Sequence, residues 1–141
     1  ALGGIPILLH AADREGVLRP DAAVEYWDGD VRELPGGLTL LRLGGHFAGG
    51  TVLHWPAGAR GQGALLSGDI VQVLGHRRSV TFMWSYPNML PLPAREVERI
   101  AAALAPWEFD RIWGAWWGRA IFANAKAVLR ESARRYVCAL A

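Results

Sequence analysis

Short apolar runs, each closed by glycine or proline, fill the first two thirds of this 141-residue chain, and helical periodicity begins only near Pro93. An amphipathic helix needs its apolar repeat sustained over about 11 residues or more, so the early runs read as strands. A strand buries its apolar face against another layer. Strands first and helices last therefore specify a layered α/β or α+β domain.

The run "IPILLHA" (5–11) is a buried strand, followed by a polar, helix-like stretch ending near Pro20. "AVEYWDGDVREL" reads as two strands about Asp28-Gly29, a dipeptide that favours tight hairpins because it tolerates positive φ. "GGLTLLRLGG" is a strand with polar positions at Thr39 and Arg42, and "GGTVLHW" is the next. A loop from Pro56 to Gly63 leads into "ALLSGD", and "SVTFMWSYP" suits a strand or an extended loop. Pro93 is a good first helical residue, and Val97, Ile100, Ala101 and Leu104 share one face of the helix that follows. "FDRIWGAWWG" gives a short strand and a glycine-bounded turn. A last helix is predicted from about Arg119 to Leu140, with Ile121, Ala125, Val128, Leu129, Tyr136 and Val137 turned inward. No repeat or low-complexity segment interrupts the pattern, which predicts a single domain over 1–141.

Composition narrows the partners. Hydrophobic residues make up 52% and charged residues 20%, enough for a packed core. The net charge is only +2, with no block of like charges, which argues against nucleic acid. No apolar run reaches the roughly 18 residues of a membrane span, and no charged-then-apolar leader opens the chain. Cys138 is the sole cysteine, so no internal disulfide can form, which fits a reducing, cytoplasmic setting. The start at Ala1, directly in apparent structure, suggests further chain upstream.

Two features occupy equivalent places, each directly after a strand: Gly45-His46, and Ser67-Gly68-Asp69. Strand ends followed by glycines are where open α/β sheets gather ligands. An imidazole from one loop and a carboxylate from the next could share zinc or iron. On spacing alone, a strand-end histidine is more often structural, and "GD" more often a plain turn.

The order "GGHFAGGTVLHW", loop, "GALLSGDIV", helix, strand ending in "WGAWWG", closing helix resembles the C-terminal part of the metallo-β-lactamase-fold hydrolases over nearly the whole chain. The resemblance implies one half of an αββα sandwich, a mixed sheet covered on its outer face by the two C-terminal helices. It implies that His46 is a ligand of a first metal and that Asp69, 23 positions on, bridges to a second. Zinc is the implied cofactor, with one or two ions in the complete domain. A small-molecule substrate of open class is implied, attacked by a water that the metal acidifies, so no catalytic side chain is assigned. The chain departs from the family in two places. The H-x-H-x-D-H cluster is absent, and the closing histidine is replaced within "GAWWG" by Ala115, Trp116 and Trp117. Two ligands fall short of the three a catalytic zinc requires. The chain is therefore expected to be the C-terminal portion of a longer hydrolase, inert and weak in zinc by itself. The alternative is a degenerate, non-enzymatic relative that binds a partner or a small apolar ligand. Either way the inner sheet face is left exposed, which predicts self-association or dependence on an N-terminal segment.

The remaining candidates are weaker. His76, beside Arg77 and Arg78, would line the mouth of the site, although a solvated basic loop is the blander reading. Trp84 and Tyr86 in "MWSYPN", with Trp116, would form an aromatic wall against substrate, although aromatics after a strand are more often core. His54 reads as a packed histidine, His10 as an edge histidine, and Arg130, Arg134 and Arg135 as a solvated helix face. Cys138 has no neighbour in sequence to activate it.

Overall fold

A computed structural model of the chain describes residues 4–85 and 90–141. In chain order these form β1 (Ile7–His10), a 3-10 segment (Ala11–Gly16), β2 (Val24–Trp27), β3 (Val31–Leu34), β4 (Leu38–Arg42) and β5 (Thr51–Trp55). A single turn, α1 (Gly58–Gly61), precedes β6 (Ala64–Gly68), β7 (Gln72–Val73), β8 (Val80–Thr81), β9 (Met83–Ser85) and β10 (Leu90–Pro91). The chain closes with α2 (Ala94–Leu104), β11 (Arg111–Gly114), β12 (Ala120–Ile121) and α3 (Ala125–Ala139). The main sheet has the order β12-β11-β6-β5-β4-β3. Its β11–β6 pair is parallel and the rest are antiparallel, so the sheet is mixed. This is the α+β class that the order of strands and helices predicts.

Register sorts the side chains into two faces, because successive residues of a strand point opposite ways. One row across the sheet runs Ile121, Ile112, Leu65, His54, Thr39. This face meets both long helices: Val97, Ile100 and Leu104 of α2 and Leu129 and Ala133 of α3 join Leu41, Val52, Leu65 and Ile112 in one core. Helix periodicity places these residues correctly, since the spacing of Val97, Ile100 and Leu104 turns them to one side. Tyr136 ties α3 to the segment before α2, its hydroxyl accepting from the Leu92 N–H at 2.7 Å. Burial raises the phenol's pKa above its ordinary value, against the smaller opposing effect of that hydrogen bond.

The opposite face carries the next row, Trp113, Leu66, Leu53, Leu40. Neither α2 nor α3 packs on it, and only the single turn α1 approaches its edge, with Gly58 against Trp55 and Ala64. Trp113 is 43% exposed, Leu66 40%, Trp55 44% and Phe122 52%, and Trp113 meets Phe122 edge to face at 5.4 Å. An apolar sheet face left half in water is uncommon for an isolated domain.

Two sequence expectations are corrected. The strands about Asp28-Gly29 exist but do not pair with each other. The pairing edge of β2 is taken by β1, in parallel, and β3 instead joins β4. Arg42 draws the chain away at this point, its N–H donating to the Asp30 carbonyl at 2.9 Å and its guanidinium meeting the Asp30 carboxylate at 3.2 Å. The last helix starts at Ala125 rather than near Arg119, because Ala120–Ile121 is spent as the edge strand of the sheet. Asn124, at φ 55, makes the turn into the helix, and its N–H donates to the Asp110 carboxylate at 2.6 Å. Ile121 faces the same core as Ala125, so helical spacing and strand pairing gave the same inward positions.

Among the described residues no helix is long and apolar enough to cross a membrane.

Candidate functional site

Strand direction decides where the loops meet. Strands β4 and β6 are each antiparallel to β5, and β11 is parallel to β6. All three therefore end at one rim of the sheet, which receives the turn bearing His46, the Ser67-Gly68-Asp69 turn and the tryptophan-rich turn 115–118.

The His46 turn is closed by backbone bonds from the Leu43 and Gly44 N–H groups to the Gly50 carbonyl, at 2.7 and 2.9 Å. Gly45 takes φ +86, and an added Cβ would lie 3.2 Å from Ile100 Cδ1 of α2. A Cβ on Gly50 would come within 2.4 Å of Ile70 Cδ1 and 2.6 Å of the Gly44 carbonyl. The two rim turns are thus packed against each other through Ile70, which directly follows Asp69. This explains why glycines bracket the histidine: a tight reversal and close contact leave no room for side chains.

The half-buried His46 ring has its Nδ1 2.8 Å from the Trp84 carbonyl. A carbonyl only accepts, so Nδ1 is the donor in this contact. Donation of one ring N–H to a backbone carbonyl is the usual way a metal-ligating histidine is oriented. The ring also meets Phe47 at 4.5 Å. Asp69 follows a turn in which the fully buried Ser67 hydroxyl donates to the Val71 carbonyl at 2.7 Å. Three buried side-chain polar atoms lack a hydrogen-bond partner among the described residues: Trp27 Nε1, Arg111 Nε and Asp69 Oδ1. Of these, the Asp69 oxygen is the acceptor on the rim that carries the His46 turn, and a buried carboxylate oxygen without a donor is costly unless something cationic completes it.

Chemically the imidazole and the carboxylate suit a divalent metal, and in number they do not complete a site. No three His, Cys, Asp or Glu side chains come together as a metal site requires among the described residues. No reaction step follows from these residues alone.

The other candidates separate. His76 is exposed in the β7–β8 turn, accepting at Nδ1 from the Arg78 N–H at 3.1 Å and lying 3.3 Å from the Ser79 hydroxyl at Nε2. Trp84 is exposed, and its carbonyl rather than its ring serves the site. Tyr86 lies outside the described residues. Trp116 is exposed on the tryptophan-rich turn and lines a cleft of about 420 Å³ with Gln72, Trp117 and Arg119. Sequence reading singled out neither Gln72 nor Arg119. The available signal was an arginine directly after "WWG" at the turn where the resemblance expects a ligand. His54 is a buried packing residue, donating from Nε2 to the Glu108 carbonyl at 2.8 Å and meeting Trp107 in a tilted ring contact at 5.1 Å. His10 is a clasp, accepting from the Ala12 N–H at 3.1 Å and donating to the Gly29 carbonyl at 3.0 Å.

No family model matches the sequence. The chain is 47% identical over 135 residues, 96% of its length, to the uncharacterized protein YmaE of Bacillus subtilis (strain 168), of which the match covers 49%. It thus spans about half the length of that relative.

Proposed function

We propose that this chain is the C-terminal part of a metal-dependent hydrolase of the metallo-β-lactamase type, acting on a small molecule. The partnerless, buried Asp69 Oδ1 at the rim that also carries an oriented His46 is the observation that supports the reading most directly. His46 would hold a first zinc through neutral Nε2, and Asp69 would hold or bridge to a second. When bound, the metal would supply hydroxide near neutral pH and polarise the scissile group. What the chain itself contributes is the placement of these two donors and a wall of exposed aromatics on the same rim. Further ligands would come from a segment bearing the H-x-H-x-D-H cluster, packed on the open sheet face. A cytoplasmic setting is part of this reading and fits the single cysteine, exposed on α3.

A second reading has its own support. Trp116 and Trp117 stand exposed on the turn where the family's closing histidine is expected, which suits a relative that binds an apolar partner in place of a metal.

Metal content separates the two. The dialysed 141-residue chain should retain far less than one equivalent of zinc, because two donors hold it weakly. Supplying a segment with the missing cluster, on the same chain or in trans, should raise uptake to one equivalent or more, and His46→Ala or Asp69→Ala should abolish it. Uptake that ignores both substitutions would overturn the hydrolase reading, and so would failure of the supplied segment to bring metal in.

A further inference from the structure

We propose that the cleft between the β7–β8 hairpin and the tryptophan-rich turn binds an anionic group, phosphate-like in charge, carried on a flat aromatic body. Its lining is one guanidinium, one amide and two indoles: Arg119, Gln72, Trp116 and Trp117. No carboxylate lines it, and among the described residues the Arg119 guanidinium has no ion-pair or hydrogen-bond partner. The same holds for the guanidinium groups of Arg77 and Arg78 on the adjoining turn. Elsewhere Arg42, Arg99 and Arg134 each face a carboxylate. Arg77, Arg78 and Arg119 thus stand uncompensated beside the cleft, as Arg19, Arg32, Arg60, Arg130 and Arg135 do elsewhere among the described residues.

The guanidinium is placed by design of the backbone. Arg119 Nη1 lies where a Cβ on Gly75 would stand only 2.3 Å away, so the bare main chain of Gly75 forms its seat. Gly114, at the end of β11, packs against Val73 Cγ2 and the Arg119 carbonyl, which fixes the two turns to each other. Trp117 is fully exposed and Trp116 57% exposed. Two indoles in water beside an unpaired arginine offer a stacking surface and a charge-assisted, bidentate anchor in one place. The cleft, about 420 Å³, is shallow and open to solvent, so a bound body would lie against the indoles rather than be enclosed. Gln72 lies three positions beyond Asp69, and Gly114 pairs in register with Gly68, so the cleft adjoins the His46–Asp69 rim. As a substrate class for the hydrolase, the inference rests on the reading above. As a binding site it stands alone.

The probe is phenyl phosphate, with inorganic phosphate and phenol as its two halves, titrated into ¹⁵N-labelled chain in the presence of EDTA. The indole N–H signals of Trp116 and Trp117 should shift with phenyl phosphate, those of the interior Trp27 and Trp107 should not, and each half alone should bind more weakly. Arg119→Gln should weaken phenyl phosphate roughly tenfold, the scale expected for one hydrogen-bonded charge at a half-open site, and leave phenol unchanged. Gly75→Ala, which displaces the guanidinium without touching it, should weaken the same probe with the fold intact. Phenol binding as tightly as phenyl phosphate would overturn the proposal, as would unchanged affinity in Arg119→Gln. Because EDTA is present throughout, failure here leaves the metal-uptake test untouched, and failure of metal uptake leaves this result standing.

Discussion

Ile112→Ala should lower the unfolding free energy by about 2–5 kcal/mol, the range for truncating a large aliphatic in a core that cannot collapse around the gap. Ile112 is fully buried, paired in register with Leu65 on one side and Ile121 on the other. It lies in the layer that α2 and α3 share, so neither helix can close the cavity without leaving the other. With total stabilities of about 5–15 kcal/mol, the variant should lose a large part of its margin. Equilibrium urea unfolding would read it as a lower midpoint at unchanged slope. A loss below about 1 kcal/mol, typical of a surface change, would mean that the sheet and helices are not packed as described.

Gly63→Ala should be comparably severe for a different reason. Gly63 has φ +81, and an added Cβ would stand 2.1 Å from the Glu108 carbonyl oxygen and 3.0 Å from Phe109 Cα. Both are backbone atoms, which cannot swing aside. Gly63 is also tied on both sides, its N–H to the Gly58 carbonyl at 2.9 Å and its carbonyl to the Asp110 N–H at 3.0 Å. Backbone strain of about 1–3 kcal/mol and overpacking of about 1–3 kcal/mol add to roughly 2–6 kcal/mol. Gly61 provides the comparison, with φ +85 and nothing within 4 Å of an added Cβ. Gly61→Ala carries the strain alone. Thermal melts of the two variants should differ by many degrees, and equal melting temperatures would remove the clash from the account.

The main layers were legible because local and global signals agree there. Short apolar runs became β1, β4, β5, β6 and β11, and the period of Val97, Ile100 and Leu104 marked α2. Misreadings arose where two local patterns shared one outcome. Asp28-Gly29 does turn the chain, with Gly29 at φ 89, yet partner choice belonged to β1 and β4, which sequence spacing cannot rank. Ile121 satisfies a helical spacing with Ala125 while being spent in a strand. At the site, the strand-end positions of His46 and Asp69 could be read directly. The Trp84 carbonyl that orients the imidazole, and the seat of Arg119 on Gly75, depend on contacts between distant segments and leave no local trace.

The half-exposed apolar face of the main sheet links stability to concentration. Whatever covers Trp55, Leu66 and Trp113 must engage the folded chain, because only folding assembles those side chains into one surface. Binding to the native state alone raises its stability by mass action, about 1.4 kcal/mol for each tenfold rise of the covering species above its dissociation constant. For a chain that covers the face with its own copies, the melting temperature is then not a constant of the sequence. It should climb as protein concentration is raised a hundredfold in calorimetric scans, and Leu66→Lys, which places a charge in the middle of the face, should make it flat.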